Sequence, residues 1–351
     1  MSGVAVRLVP VDELGALEKE WRELAEAGGN VFASWEWVDT WWRHRGEGKR
    51  LLIFSCRDDG GRLVAVLPLY LWLERPARVA RFLGHGPADE LGPVVAPGDE
   101  APAAAGLVQA VEEASLDILL AELLPGGRGW RAALGGTTLL RESSPSASLE
   151  GGWEAYLGGR SANLRQQVRR KERNLARRYV LRYRLADDPR RLQDDLTLLF
   201  SLHGTRWGRS ASAFAPWEAF HREFAAVAQE RGWLRLWFLE LDGRPAAAWY
   251  GFRFGGVEAY YQAGRDAAHD DGSVGFVLLA HTIRDAAEDG VREYRFLRGA
   301  EPYKLRFADR DDGLETVALA RGARGRIARA AAAGLRGGRV RSALRRLAGE
   351  R

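Results

Sequence analysis

WLRLWFLELDGRPAAAWYGFRFGGVEAYYQAG, residues 233–264, decides how this chain folds. Trp233–Leu241, Arg244–Phe254 and Val257–Gly264 are three runs rich in aromatic and apolar residues. Asp242-Gly243 and Gly255-Gly256 separate them, and a two-residue break of this type between strand-like runs is a hairpin signal. Three antiparallel strands are therefore expected. A polar loop over 265–273 follows. Asp271-Gly272-Ser273-Val274-Gly275 then opens a helix over 275–289, and Val291–Leu297 reads as a further strand. Glycine lets a backbone turn tightly and approach a ligand. The first N–H groups of a helix lack internal partners and sit at the positive end of its dipole. Such a corner is suited to a phosphate or diphosphate.

Upstream of this stretch, a helix is expected over 161–178, a strand over 180–185 and helices over 189–208 and 216–231. The N-terminal half repeats the pattern. Leu14, Leu17, Trp21 and Leu24 recur at helical spacing within 12–27. Phe32, Trp35, Trp37, Trp41 and Trp42 crowd 32–42, read either as a helix packed into the core or as an aromatic wall of a pocket. Strands follow over 51–56, 63–72 and 78–83, with Asp58-Asp59-Gly60-Gly61 turning the first pair. A loop over 84–91, a helix over 100–114 and a strand over 116–124 complete this half. Residues 125–151, rich in Ser, Gly and Pro, read as the joint between halves. A last strand is expected over 314–320. The organisation predicted is an N-terminal lobe (1–150), a C-terminal lobe (151–320) and an Arg-rich tail (321–351), with the two lobes as structural repeats.

The chain has 351 residues, with 52 Lys+Arg against 47 Asp+Glu, a net charge of +5. That charge is not spread evenly. Residues 321–351 hold ten Arg and one Glu, and residues 160–184 hold nine Arg, one Lys and one Glu. Each block is +9, which leaves 32 basic and 45 acidic groups elsewhere, net −13. A DNA-binding surface over the whole fold is excluded by that acidic body. Only Lys19, Lys49, Lys171 and Lys304 are lysines, so each is notable. Cys56 is the only cysteine, so neither an intrachain disulfide framework nor a Cys-rich zinc site can form. No metal is expected. With no long apolar run and no secretory leader, a cytoplasmic setting is the expectation. Arg165, Arg169, Arg173 and Arg177, four apart, share one face of their helix. They are read as a solvated face or as contacts to a CoA 3′-phosphate, an RNA donor, or an anionic glycan or lipid. The tail is expected to be drawn weakly to an anionic membrane surface, at roughly 1 kcal/mol per basic residue.

Together with DGSVGFVLLAHTIRDAAEDG (271–290), YRFLRGAEPYKLRFA (294–308), LHGTRW (202–207), FHREFA (220–225), VFASWEWVDTWW (31–42) and RFLGHGPADELGPVV (81–95), the opening stretch resembles the GNAT acyltransferase superfamily. Within it, the resemblance is to the double-GNAT group called CelD-like or BioF2-like, related to the FemAB/FemX peptidyltransferases. It covers roughly residues 30–308. It implies an α/β (α+β) fold of tandem GNAT-like lobes, with mixed, mainly antiparallel sheets flanked by helices. It also implies acyl-CoA, such as acetyl-CoA, as co-substrate. The pantetheine arm would lie along the splayed strand that includes Tyr261 and Gln262. Gly272, Ser273, Val274, Gly275 and Phe276 would hold the diphosphate. The family loop reads Arg/Gln-x-x-Gly-x-Gly, whereas here the glycines are more widely spaced and Asp270-Asp271 precede them. Tyr303-Lys304-x-x-Phe307 resembles an aromatic-Lys-x-x-Phe motif of the FemX group, whose lysine is associated with donor phosphate or developing oxyanion.

Transfer to an amine requires a proton acceptor. Glu301, Tyr303 and His203 are candidates, and more loosely Asp89 and His85. No Ser-His-Asp or Cys-His set is evident, so direct transfer is expected. The expected acceptor is a small-molecule amine or amino sugar tied to cell-envelope or exopolysaccharide chemistry, held between the lobes. Two alternatives stand beside this reading. One is a FemX-type transferase using aminoacyl-tRNA, with RNA as partner. The other is a non-catalytic, degenerate GNAT binding protein.

Overall fold

The computed structural model describes residues 6–73, 77–207, 212–322 and 325. The Arg-rich tail expectation therefore falls almost wholly outside the described residues. The chain divides into two units, one made of residues up to 143 together with those from 312 onward, the other of residues 144–311.

The first unit runs through β1 (Arg7–Val11), α1 (Glu18–Gly28), α2 (Trp35–Arg45), β2 (Arg50–Arg57), β3 (Leu63–Leu73), β4 (Val79–Phe82), β5 (Val94–Val95), α3 (Glu100–Glu113), β6 (Ile118–Pro125), α4 (Trp130–Leu134) and β7 (Thr137–Glu142). The second contains β8 (Pro145–Ser148), α5 (Gly152–Gly158), α6 (Ala162–Arg178), β9 (Leu181–Leu185), α7 (Leu192–Trp207), α8 (Glu218–Glu230), β10 (Leu234–Leu241), β11 (Arg244–Phe254), β12 (Val257–Arg265), α9 (Val274–Glu288), β13 (Glu293–Arg295), α10 (Pro302–Phe307) and β14 (Arg310–Asp311). The chain then returns to the first unit as β15 (Leu314–Ala320).

Among the described residues the first unit builds an eight-stranded sheet in the order β1-β2-β3-β4-β6-β15-β7, with β5 beside β3. The second builds a seven-stranded sheet, β9-β10-β11-β12-β13-β8-β14. The two orders correspond position by position. Each contains one parallel pair, β4 with β6 and β12 with β13, set among antiparallel neighbours. In each, the strand after that pair comes from a distant part of the chain. The tandem, mainly antiparallel α/β architecture is thus present.

Two expectations change. The strand at 314–320 does not belong to the C-terminal lobe. Its ladder pairs Val317 with Ala121 and Thr316 with Leu140, which inserts it between β6 and β7. Residues 125–151 are not a plain joint, since they carry α4, β7 and β8. β8 enters the second sheet, pairing Ala147 with Tyr294.

The aromatic segment 32–42 packs mainly into the core, with Trp35 and Trp42 half-buried at its edge. Phe32, Trp37 and Trp41 are buried, and Phe32 meets Trp37 edge-on at 4.8 Å. Such packing explains the aromatic density without a pocket wall. In the second unit, α6 and α9 pack on the sheet face carrying Trp249, Tyr260 and Tyr294. Leu164, Val168 and Leu175 are the buried stripe of α6.

Candidate functional site

The site is built where β12 and β13 part. Their parallel ladder covers Val257↔Glu293, Glu258↔Tyr294 and Ala259↔Arg295. β12 then continues to Arg265, whereas β13 and its ladder with β12 end at Arg295. On its other side β12 keeps its ladder with β11, interrupted by a bulge at Tyr250/Gly251 opposite Tyr260–Gln262. A bulge bends and twists its strand. Gly251 is required there, because a Cβ would run into the Ala259 carbonyl oxygen and the Trp249 ring. The splay is therefore written into the strand pairing itself, and Tyr260, Tyr261 and Gln262 lie in the stretch it frees.

β12 leads through a short turn to α9. Ser273, with φ of 55°, precedes the helix. Phe276 N and Val277 N both donate to the Ser273 carbonyl, at 2.9 and 3.1 Å. The amides of Val274 and Gly275 are the ones the helix leaves without an internal partner. Three cationic side chains gather at this corner. Lys171 Nζ donates to Ser273 Oγ at 2.6 Å and lies 4.8 Å from the Phe276 ring centre. Arg306 lies over the same ring at 5.6 Å and is oriented by donation to Gln167 Oε1 at 2.8 Å. The Arg265 aliphatic stem is beside Gly275. Burial lowers the Lys171 pKa, and Arg306 and Arg170 lower it further. A lysine crowded by other cations is the environment an anion would relieve. The Val274 and Gly275 amides, the Ser273 hydroxyl and the cations Lys171 and Arg306 form a donor set that fits a diphosphate.

The expected residues fall into three groups. Gly272, Ser273, Val274, Gly275 and Phe276 sit at this corner. Glu301, Tyr303 and Lys304 lie just past β13, and the Tyr303 hydroxyl reaches Tyr260 Oη on the freed strand at 3.3 Å. Lys304 is 5% exposed. It turns inward, donating to the Arg298 carbonyl at 2.6 Å and pairing with Glu301 Oε2 at 3.0 Å. Tyr261 points to the opposite sheet face, where its hydroxyl is 3.3 Å from His221 Nε2. His203 backs the same strand from α7. Its Nδ1 is 3.1 Å from the Ala263 carbonyl, so Nδ1 carries the proton and Nε2 receives the Ser212 hydroxyl at 2.8 Å. His85 is gathered elsewhere, with Arg81 and Glu122 in the first unit, and Asp89 is half-buried in the same loop.

Lys171 and Arg306 were not singled out as ligands by the sequence, although the scarcity of lysine had marked Lys171. On α6, Arg169, Arg173 and Arg177 are exposed as a shared face requires, while Arg165 donates to the Gly158 carbonyl at 3.1 Å.

Residues 162–305 match the family model described as an acetyltransferase (GNAT) domain. The matched stretch contains the splay, α9 and all the expected donor-site residues. Among solved structures, FemX aligns with a TM-score of 0.66 at 11% identity, over 90% of this chain and 97% of that one. A DUF2156 domain from Agrobacterium fabrum, described as the C-terminal domain of a lysylphosphatidylglycerol synthetase, aligns at 0.60 and 12%, over 90% and 95%. L-PGS from Bacillus licheniformis aligns at 0.56 and 12%, over 88% and 94%. At these identities the likeness is one of fold, and it extends beyond the matched residues 162–305 to both units. No curated protein matches the chain in sequence. Among the described residues no cluster of His, Cys, Asp or Glu could hold a metal ion, and no helix is long and apolar enough to cross a membrane.

Proposed function

We propose that the protein is an acyl-CoA-dependent N-acyltransferase acting directly on the amine of a small molecule or amino sugar of envelope or exopolysaccharide type. The observation that carries this reading is the cationic corner at the start of α9, placed at the end of the strand that the splay frees. A donor with a diphosphate and a long extended arm suits that juxtaposition. The amides of Val274 and Gly275, the Ser273 hydroxyl, Lys171 and Arg306 would hold the diphosphate, with Gly272 shaping the turn. Phe276 would flank it, and the freed edge of β12 through Tyr261 and Gln262 would carry the arm. When bound, the donor supplies a thioester carbonyl, the C–S bond breaking as the C–N bond forms and the amine proton ending, in net, on the departing thiol. Glu301, 40% exposed, keeps Oε1 outside its pairing with Lys304 and is the group we assign to receive that proton first. His203 has both ring nitrogens engaged and serves to hold β12.

A second reading, an aminoacyl-tRNA donor, is favoured by the exposed Arg169, Arg173 and Arg177 face and by the fold likeness to FemX and L-PGS. Calorimetry separates the two. CoA or acetyl-CoA should bind the full chain, and Lys171→Met should weaken binding about tenfold, a loss of ~1.4 kcal/mol. Salt-sensitive binding of aminoacyl-tRNA with no response to CoA would move the assignment to the second reading. No binding of either would point to a non-catalytic protein.

A further inference from the structure

The loop that leaves β13 is held in an unusual shape, and Lys304 holds it. Leu297, although not a glycine, has φ of 56°, and Gly299 has φ of 124°. Non-glycine residues at positive φ are uncommon and persist only where the surroundings impose them. Here the surroundings are an ammonium. Lys304 Nζ, nearly sealed from water, donates to the Arg298 carbonyl at 2.6 Å and forms an ion pair with the Glu301 carboxylate at 3.0 Å, so it holds both ends of the segment Arg298–Glu301. The Lys304 amide also donates to the Glu301 carbonyl at 2.9 Å. Gly299 holds a φ that L side chains rarely adopt, and a Cβ there would also push on the Glu301 carboxylate.

This clasp fixes a direction. A trans peptide is planar, and its C=O and N–H point opposite ways. With the Arg298 carbonyl turned onto Lys304, the Gly299 N–H is turned away from it. No backbone partner for Gly299 N occurs among the described residues. The loop begins where β12 and β13 part, and Tyr303, one residue before Lys304, touches Tyr260 on the freed strand.

We infer that Lys304 is a positioning residue, which sets the Arg298–Gly299 peptide so that the Gly299 N–H serves as hydrogen-bond donor to the acyl carbonyl oxygen as negative charge gathers on it during transfer. Preorganised backbone donors of this kind are a large contributor to acyl transfer. The inference rests on the acyl-transfer reading above and sharpens it. The lysine acts through the loop, and contact with donor phosphate falls to Lys171 and Arg306.

The test uses the full chain and acetyl-CoA. Three readouts are taken for the parent, Lys304→Met, Lys304→Arg and Gly299→Ala: CoA affinity by calorimetry, thiol release from acetyl-CoA with glucosamine as the probe acceptor, and amide hydrogen exchange over 296–303. Lys304→Met should leave CoA affinity within about twofold, raise exchange over the loop at least tenfold and lower thiol release at least tenfold. Lys304→Arg should recover part of the exchange protection. Gly299→Ala should reproduce the exchange and turnover changes with the lysine intact, which keeps the test decisive if Lys304→Met does not fold. Unchanged loop exchange in Lys304→Met or Gly299→Ala would overturn the clasp. A tenfold loss of CoA affinity in Lys304→Met would return the lysine to the donor phosphate. If the parent binds no CoA, the acyl-CoA reading fails by itself, and the exchange data still decide whether the clasp exists.

Discussion

His221 sits without solvent contact among Phe214, Phe220, Tyr250 and Tyr261, and burial pushes its imidazole down to about 3. His281, stacked on Tyr183 at 3.7 Å, is pushed to about 4 by burial in the same way. Both therefore fold neutral. Their folded-state pKa values lie below the ordinary 6.5, so the unfolded chain binds the extra protons. Their contribution is fully present above pH 6.5 and is lost as pH falls toward 4, at up to ~1.4 kcal/mol per pH unit for each group. His221→Phe should flatten the fall of urea-unfolding stability between pH 6.5 and 4 by about one proton's worth. An unchanged slope would mean that His221 does not titrate across this transition. At this scale the sequence was partly readable. The rarity of lysine pointed to Lys171 and Lys304, and both are engaged at the candidate site. What the sequence could not convey is direction. Lys171 and Ser273 are 102 positions apart, and nothing local tells that one ammonium turns toward the α9 corner while the other turns into its own loop.

α6 shows how an element's own signals suffice when they are local. Ser161 accepts a hydrogen bond from Leu164 N at 3.2 Å, the N-cap arrangement of a hydroxyl before a helix. Leu164, Val168 and Leu175 then bury one stripe, and the arginines take the opposite side. The helix was legible almost to the residue for these reasons. Ser161→Ala should lower stability by about 1 kcal/mol, read from the denaturant midpoint, with Ser161→Gly costing less. A midpoint that does not move would show that the cap is replaceable by water. The β7 and β8 strands had the opposite fate. TTLLRE and PSAS carry weak intrinsic strand signals, and what makes them strands is a partner far along the chain, Thr316 for Leu140 and Tyr294 for Ala147. The strand Glu293–Arg295 is shorter than the apolar pattern 291–297 promised, because Leu297 turns to positive φ and leaves the ladder.

At the scale of the whole molecule, the repeated strand order is the organising fact, and one strand of the first sheet lies beyond the entire second unit. A chain ended after Asp311 should keep the second unit and lose cooperative unfolding of the first, since β6 and β7 would face each other without β15. A chain ended after Gly325 should keep both. Limited proteolysis distinguishes them, and a protected first unit in the shorter chain would refute the strand's importance. Repetition was expected from the paired run of helices, hairpin, loop, helix and strand in each half. The partition was not, because a strand's pattern records that it will be buried and not beside whom.

The place of β15 also orders events during synthesis. The ribosome releases β6 and β7 first, as two unfinished edges. It must then translate about 170 further residues, the whole of the second unit, before the strand that joins them emerges. Open edges are templates for pairing with other chains, and units that wait for a late segment are exposed to that risk while they wait. The unit translated first is thus the last to be completed, and slow elongation through the second half would lengthen the interval in which nascent copies can pair with one another.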